Sequence, residues 1–207
     1  MRRLRIPWWS RPAAVVLFAG LAPATAGGQP SLVESVEVRC PSVLGIGVET
    51  DLVFCDVLAQ QDPARGVIVV LPPRRGEATL SFNLHNRHTY SEDDVERSRA
   101  YARYLAEVAV ASPAGDVIGR RYVLNEFRTA DDLFDRVGGG AGPEGLKAVA
   151  PTGAERVFVT IPADLEQVVI VGQTLELTGI DGNLERIWSP GRPVAVISEV
   201  QLEYTAR

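Results

Sequence analysis

Apolar and polar residues alternate one by one through most of the chain after residue 26, and this alternation limits the possible folds more than any other feature. The clearest run covers residues 78–85, in which Leu80, Phe82 and Leu84 are separated by polar side chains. Because successive side chains of a β-strand point to opposite faces, such a run predicts a strand with one buried face. Comparable strand signals occupy residues 36–40, 51–58, 66–71, 100–111, 117–128, 156–161, 168–178, 184–188 and 194–204.

These nine or ten predicted strands are short, and turns rich in glycine, proline and aspartate separate them. Two capping boxes, Ser91 with Asp94 and Thr129 with Asp132, predict two short helical turns, the second of which reaches residue 135 or 136. No long helical period alternates with the strands, which argues against parallel βαβ units. We therefore predict an all-β fold, a single antiparallel β-sandwich of the immunoglobulin-like or jelly-roll type.

The first 26 residues predict a cleaved secretory signal peptide. Four arginines precede an apolar run at residues 13–22, which is followed by small residues ending at Ala26. A positive end, a short apolar run and a small-x-small site are the parts of such a leader. The run is well below the roughly 20 residues that span a bilayer, so we expect no transmembrane segment in the mature chain. Residues 27–207 then form the sandwich domain of a secreted or periplasmic protein.

The two cysteines, Cys40 and Cys55, both fall in the part of the chain predicted to be exported. In an oxidising compartment an isolated even pair predicts a structural disulfide. A redox-active or metal-binding pair would need closer spacing or further Cys and His partners. Because a turn with Gly45 and Gly47 lies between the cysteines, we expect the bridge to join two strands of a hairpin.

Charge and motif context weigh against nucleic-acid and nucleotide partners. The predicted leader holds four of the 21 basic residues and none of the 26 acidic ones, so residues 27–207 keep 17 basic residues and a net charge of −9. No basic stripe remains that could neutralise a phosphate backbone. Residues 140–145 match G-x-G-x-x-G by letter, but they contain Pro143 and follow a predicted helix end instead of a strand. A dinucleotide loop needs the strand before it and the helix after it.

Residues 85–94 are the main candidate for chemistry, because they hold both histidines of the chain. His85 and His88 are followed by three acids, Glu92, Asp93 and Asp94. Imidazole and carboxylate groups are ordinary zinc ligands, so the segment is a candidate metal-binding or metal-dependent site. Residues three apart in a regular strand point to opposite faces, so the histidines converge only if the strand bends just before them. In the alternative interpretation, His85 is a hydrogen-bonded residue at a polar strand end.

A carbohydrate site is a further candidate. Residues 27–207 contain a single tryptophan, Trp188, and amphipathic aromatic side chains can offer a flat face to a sugar ring. Tyr90 and Arg87 are the other candidate ligand-binding residues. In the alternative interpretation, Trp188 fills part of the core at the edge of the sandwich.

The sequence contains no assembled catalytic constellation. The G-x-S-x-G elbow of a serine hydrolase is absent, and no spacing singles out a pair of carboxylates for glycoside hydrolysis. We therefore expect a non-enzymatic exported β-sandwich with a binding or structural role toward a protein or cell-surface component. The alternatives are the metal site at His85 and His88 and a carbohydrate-binding module. No cofactor is expected, apart from the metal ion of the first alternative.

Overall fold

Fourteen strand segments occur in the described part of the chain, and twelve of them form two antiparallel six-stranded sheets that share one core. The computed structural model of the protein describes residues 30–60, 62–87, 91–138, 146–148 and 154–207. The predicted leader, residues 1–26, lies outside the described residues. The strands are β1 (Leu32–Ser35), β2 (Val38–Arg39), β3 (Val43–Ile46), β4 (Val53–Leu58), β5 (Val67–Val70), β6 (Arg74–Asn86), β7 (Ala102–Ala111), β8 (Val117–Phe127), β9 (Arg136–Gly138), β10 (Leu146–Ala148), β11 (Glu155–Ile161), β12 (Gln167–Gly179), β13 (Leu184–Ile187) and β14 (Pro193–Ala206).

The first sheet is built around β14 and has the order β11-β6-β14-β4-β3, with β1 also beside β14. One edge of β14 pairs with β6. The opposite edge is divided, because residues 193–197 pair with β4 and residues 201–204 pair with β1.

The second sheet repeats this arrangement around β12, in the order β2-β5-β12-β7-β8, with β13 also beside β12. One edge of β12 pairs with β7. The other edge is divided between β5, which pairs with residues 167–170, and β13, which pairs with residues 175–178.

The core lies between the facing sides of the two sheets, as the alternation predicts. The inward side chains of β6 pack against those of β7 and β12 in one large cluster. The polar side chain of Asn86 is fully buried in this space, and its amide donates hydrogen bonds to Tyr104 O (3.3 Å) and Asn125 Oδ1 (2.8 Å) of the second sheet. The prediction of an all-β antiparallel sandwich is therefore confirmed.

The four strands beyond the ten predicted, β1, β3, β9 and β10, contain only three or four residues each. Strands this short give a weak local signal, and β2, β5 and β13, which are no longer, were predicted because they lie inside runs of five or six residues. For a strand of this length, the partner strand and the burial, which are tertiary features, decide whether it forms.

The first predicted helical turn is present as α1 (Glu92–Glu96), and Ser91 Oγ accepts a hydrogen bond from Asp94 N (3.3 Å). After the capping box at Thr129, however, only a 3-10 turn at Ala130–Asp132 forms. The expected continuation to residue 135 or 136 is wrong. A further 3-10 turn occupies Pro63–Arg65.

The chain after the Ala130–Asp132 turn covers the outer face of the first sheet, which explains why this helical turn ends early. Val137 of β9 is fully buried against Leu44 and Phe54. Asp135 is also buried, and its carboxylate accepts hydrogen bonds from the backbone of Val48 (3.1 Å) and its neighbours in the β3–β4 turn. Burial alone would raise the pKa of Asp135, but hydrogen bonds from the Thr50 hydroxyl and from the backbone of Arg136, Glu49 and Thr50 outweigh it and hold the pKa below its ordinary value.

Cys40 and Cys55 form the predicted disulfide, with their Cα atoms 5.8 Å apart. The expected hairpin between the cysteines is wrong, because Cys40 follows β2 of the second sheet while Cys55 lies in β4 of the first. The hairpin partner of β4 is β3. The bridge therefore joins the two layers of the sandwich.

Within the described residues, no helix combines the length and the hydropathy that a membrane span requires.

Loss of the disulfide should destabilise the protein without abolishing folding, because most of the shared core does not depend on it. A cross-link across 15 residues is worth about 3 kcal/mol in the chain-entropy model. We expect the double variant Cys40→Ala/Cys55→Ala to retain its β-sheet circular dichroism and to unfold at a lower temperature than the wild type. Reductant should lower the wild-type midpoint and leave that of the variant unchanged. Two alkylatable thiols in the unreduced, denatured wild type would contradict the bridge.

Candidate ligand-binding site

The divided edge of β12 leaves an interval at residues 171–174, between the segments paired with β5 and β13. The chain leaving β4 of the first sheet crosses into this interval, where Ala59 forms a parallel bridge with Gly172. Gln60 N then donates a hydrogen bond to Gly172 O (3.2 Å). This crossing brings Gln60 to the second sheet.

Gly172 is required by the close approach of the crossing chain. An ideal Cβ at this position would lie 2.3 Å from Val194 Cγ2 and 2.8 Å from Leu58 O. Because one of these atoms belongs to the backbone, a larger residue would push the crossing segment away from β12.

A polar depression of about 470 Å³ opens at this interval. Gln60 is its most buried polar side chain, only 8% exposed, and its Nε2 has no hydrogen-bond partner among the described residues. Buried amide groups are normally hydrogen-bonded, and this covered donor can reach a ligand if the Gln60 side chain turns toward the depression. The depression is lined by Gln60, Glu107, Gly172, Gln173, Thr174, Arg186, Trp188 and Pro190.

Trp188 stands at the rim of this depression and is 60% exposed. The interpretation that it fills part of the core is therefore wrong. The pairing of Leu175 with Ile187 explains why, because Ile187 packs against the core and the next residue turns to the outer face. The same register brings Trp188 beside Thr174.

Glu107 and Tyr122 continue this row across the outer face of the second sheet. Thr174 pairs with Glu107 on β7, and Glu107 pairs with Tyr122 on β8. Tyr122 is 53% exposed. Neighbouring strands lie about 4.8 Å apart, so the two aromatic side chains are separated by about 14 Å. We call the four residues Trp188, Thr174, Glu107 and Tyr122 the aromatic band.

The charges around the aromatic band are largely paired. The Glu107 carboxylate accepts hydrogen bonds from Arg120 Nη1 (2.7 Å) and from the Tyr122 hydroxyl (3.2 Å). Arg186 forms an ion pair with Glu176 on the adjacent strand. The surface is therefore polar, aromatic and close to neutral.

The candidate residues from the sequence are spread over different parts of the structure. Arg87 lies 3.0 Å from the Asp56 carboxylate of the first sheet and does not line the depression beside Trp188. Tyr90 and His88 lie outside the described residues. Gln60 was missed, because it carries no sequence signal that would bring it to Trp188, and nothing in the sequence distinguished Tyr122 from the other tyrosines as an aromatic contributor.

His85 lies on the outer face of the first sheet and is fully buried. Its ring centroid is 4.7 Å from that of Phe134, and its Nε2 lies 3.1 Å from Ser198 Oγ. Burial lowers the pKa of His85 to about 4, so the ring is neutral at neutral pH. This environment matches the interpretation of His85 as a hydrogen-bonded structural residue.

Two acids of the predicted metal site form ion pairs with arginines. Asp93 is exposed and lies 3.7 Å from Arg97, and the half-buried Asp94 lies 3.5 Å from Arg99. Glu92 is the first residue of α1. Among the residues that the structure describes, no three His, Cys, Asp or Glu side chains come together in a way that could hold a metal ion.

No protein-family model and no curated protein sequence matches the chain. Among solved structures, it shows similarity to the crystal structure of the infectious bursal disease virus VP2 subviral particle, at 10% identity and a TM-score of 0.24. The match covers 93% of this chain and 46% of the viral chain, so the protein spans less than half the length of that neighbour. A similarity of this size carries no argument about function.

Substitution of Gly172 should destabilise the crossing that forms the depression. We expect Gly172→Ala to lower the free energy of unfolding by roughly 1–3 kcal/mol, the usual cost of forcing atoms into a filled space. Gly138→Ala is a matched control, because a Cβ there meets none of the described residues within 4 Å. Urea denaturation of both variants would test this, and equal stabilities would contradict the close approach.

His85 should make the protein less stable in mild acid. The unfolded chain protonates His85 near its ordinary pKa of 6.5 and the folded chain only near 4, so its contribution is present above pH 6.5 and disappears as the pH falls toward 4. The difference corresponds to roughly 3 kcal/mol. We expect the wild type to lose more stability than His85→Leu between pH 7 and pH 4.5 in urea denaturation. Parallel stability profiles for the two proteins would contradict the shifted pKa.

Proposed function

We propose that the protein is a secreted or periplasmic, non-enzymatic carbohydrate-binding protein, and that its aromatic band binds a glycan of a cell surface. The observation that carries this proposal is the exposed Trp188 beside a polar depression in which the buried Gln60 Nε2 has no hydrogen-bond partner among the described residues. An unpaired buried donor next to an open aromatic face suits a ligand that is apolar on one side and rich in hydroxyls.

The chemistry of the depression supports a sugar ring as the ligand. The apolar face of a sugar can stack on the Trp188 indole, while its hydroxyls can accept from Gln60 Nε2 once that side chain turns toward the depression. The Gln173 side chain, which also lines the depression, offers both a donor and an acceptor. Hydroxyl groups of the ligand can therefore replace the water that these groups lose on binding.

The length of the aromatic band supports an oligosaccharide. Trp188 and Tyr122 lie at opposite ends of a row that crosses four strands, about 14 Å apart at the usual strand spacing. A single sugar ring contacts one of these aromatic side chains, whereas a chain of several rings lying across the strands can contact both. Longer oligosaccharides should therefore bind more tightly than monosaccharides.

The same site gives little support for glycoside hydrolysis. Hydrolysis of a glycosidic bond ordinarily uses two carboxyl groups on opposite sides of that bond. Among the described residues that line the depression, Glu107 is the single carboxylate, and Arg120 and Tyr122 already engage it. Binding without turnover is the function that this arrangement favours.

The disulfide supports the compartment in this proposal. Structural disulfides persist in oxidising environments outside the cytosol, and the Cys40–Cys55 bridge joins the two layers. The predicted leader at residues 1–26 is a separate argument for export.

Removal of the Trp188 ring should remove most of the glycan affinity. We expect a glycan array to identify oligosaccharides that bind the wild type, and titration calorimetry to show roughly tenfold or greater weakening in Trp188→Ala, as for a central aromatic contact. Phe158→Ala is a matched control, because Phe158 is a similarly exposed aromatic residue (57%) on β11 of the other sheet. No binding by the wild type across the array, or equal binding by Trp188→Ala, would contradict the proposal.

A further inference from the structure

A second cavity lies at one end of the sandwich, where two connections cross between the sheets. Residues 71–73 lead from β5 to β6, and residues 162–166 lead from β11 to β12. The groove between them has a volume of about 810 Å³. It is separate from the aromatic band, since none of the residues lining one depression lines the other.

Arg74, the first residue of β6, is the most unusual side chain of this groove because it is only 5% exposed. Its Nη2 donates to Pro162 O (2.6 Å), while its Nε is buried and has no hydrogen-bond partner among the described residues. No carboxylate of the described chain lies within 4 Å of its guanidinium. A buried charge is normally paired, because removal from water is costly without a counter-charge.

A second guanidinium adds to the positive charge instead of balancing it. Arg207 lines the same groove, and its Nε donates to Arg74 O (2.9 Å). Burial lowers the pKa of Arg74; Asp164 opposes this change, and the positive charge of Arg207 adds to it. An anion bound between the two guanidinium groups would offset both the cost of burying the Arg74 charge and its repulsion by Arg207.

The lining of the groove also limits the kind of anion. Three arginines, Arg39, Arg74 and Arg207, line the groove with two acids, Asp164 and Glu166, and Arg39 is already ion-paired with Glu37, so little net positive charge remains. This balance suits a single carboxylate better than a phosphate dianion. Apolar walls stand beside these charges and suit an organic body; they are Val70, Leu71, Pro72, Pro73, Pro113 and Leu165.

We propose that this groove binds an organic monocarboxylate, whose carboxylate lies against Arg74 and Arg207 and whose apolar body lies along the proline and leucine walls. Guanidinium groups bind carboxylates through paired, charge-assisted hydrogen bonds. The proline residues make the walls stiff, so little ordering is needed when the ligand enters.

The probe that tests this site is benzoate, with benzamide as its uncharged analogue. In titrations at constant ionic strength, followed by two-dimensional ¹H–¹⁵N spectra, we expect saturable shifts at the groove residues with benzoate and none with benzamide. Failure of benzoate to give saturable shifts in the wild type would overturn the proposal. Tighter binding of inorganic phosphate than of benzoate would overturn the assignment to a monocarboxylate.

Two variants connect this binding to the arginines. We expect Arg74→Met to weaken benzoate binding by at least roughly tenfold, the scale of a charge-assisted pair. Arg75→Met is the matched control, since Arg75 is the next residue of β6 and is exposed. Arg207→Gln, at an exposed position, should also weaken binding, and it keeps the test decisive if Arg74→Met does not fold. Wild-type affinity in Arg207→Gln would overturn the proposal, and so would wild-type affinity in a folded Arg74→Met.

This inference does not depend on the proposed carbohydrate site. Trp188→Ala should bind benzoate as the wild type does, and Arg74→Met should keep glycan binding. Loss of benzoate binding in Trp188→Ala would overturn the assignment to the separate groove.

Discussion

The structure depends on two long strands, β12 and β14, whose inward side chains are buried against each other's sheets. Each strand pairs along one edge with another long strand, and each divides its other edge between two short strands. Both also have an irregular register in the interval where the edge partner changes, at residues 172–174 of β12 and 198–201 of β14. Such bulges let one strand serve two differently placed partners while its apolar face stays on the core.

The proposed carbohydrate site follows from one of these intervals. Because neither β5 nor β13 pairs with residues 171–174, the chain from β4 can cross to the second sheet there and bring Gln60 with it. The aromatic band then needs only the ordinary pairing of β13, β12, β7 and β8. The Arg74 groove arises differently, from two connections that cross the open end of the sandwich. The two candidate sites thus use distinct parts of one scaffold.

Three buried polar side chains show how differently such groups can be accommodated. Asn86 donates to the opposite sheet and links the layers at their interior. His85 remains neutral under Phe134, because burial lowers its pKa to about 4. Arg74 is charged, and no carboxylate of the described chain lies close enough to form an ion pair with it. In the sequence all three are polar residues within or next to one predicted strand. Only their surroundings in the fold distinguish the structural roles of Asn86 and His85 from the proposed binding role of Arg74.

The sequence by itself determined the all-β class, ten of the strands, the α1 turn and the choice of disulfide partners, because side-chain alternation, capping and cysteine count are local properties. It did not determine strands β1, β3, β9 and β10, the joining of the two layers by the disulfide, or the early end of the second helical turn, since each depends on burial against distant residues such as Leu44 and Phe54. The exposure of Trp188 was likewise decided by the register of β13 on β12. Tertiary structure alone brought Gln60, Glu107 and Tyr122 to that ring, because strands remote in sequence became neighbours only when the sheets formed.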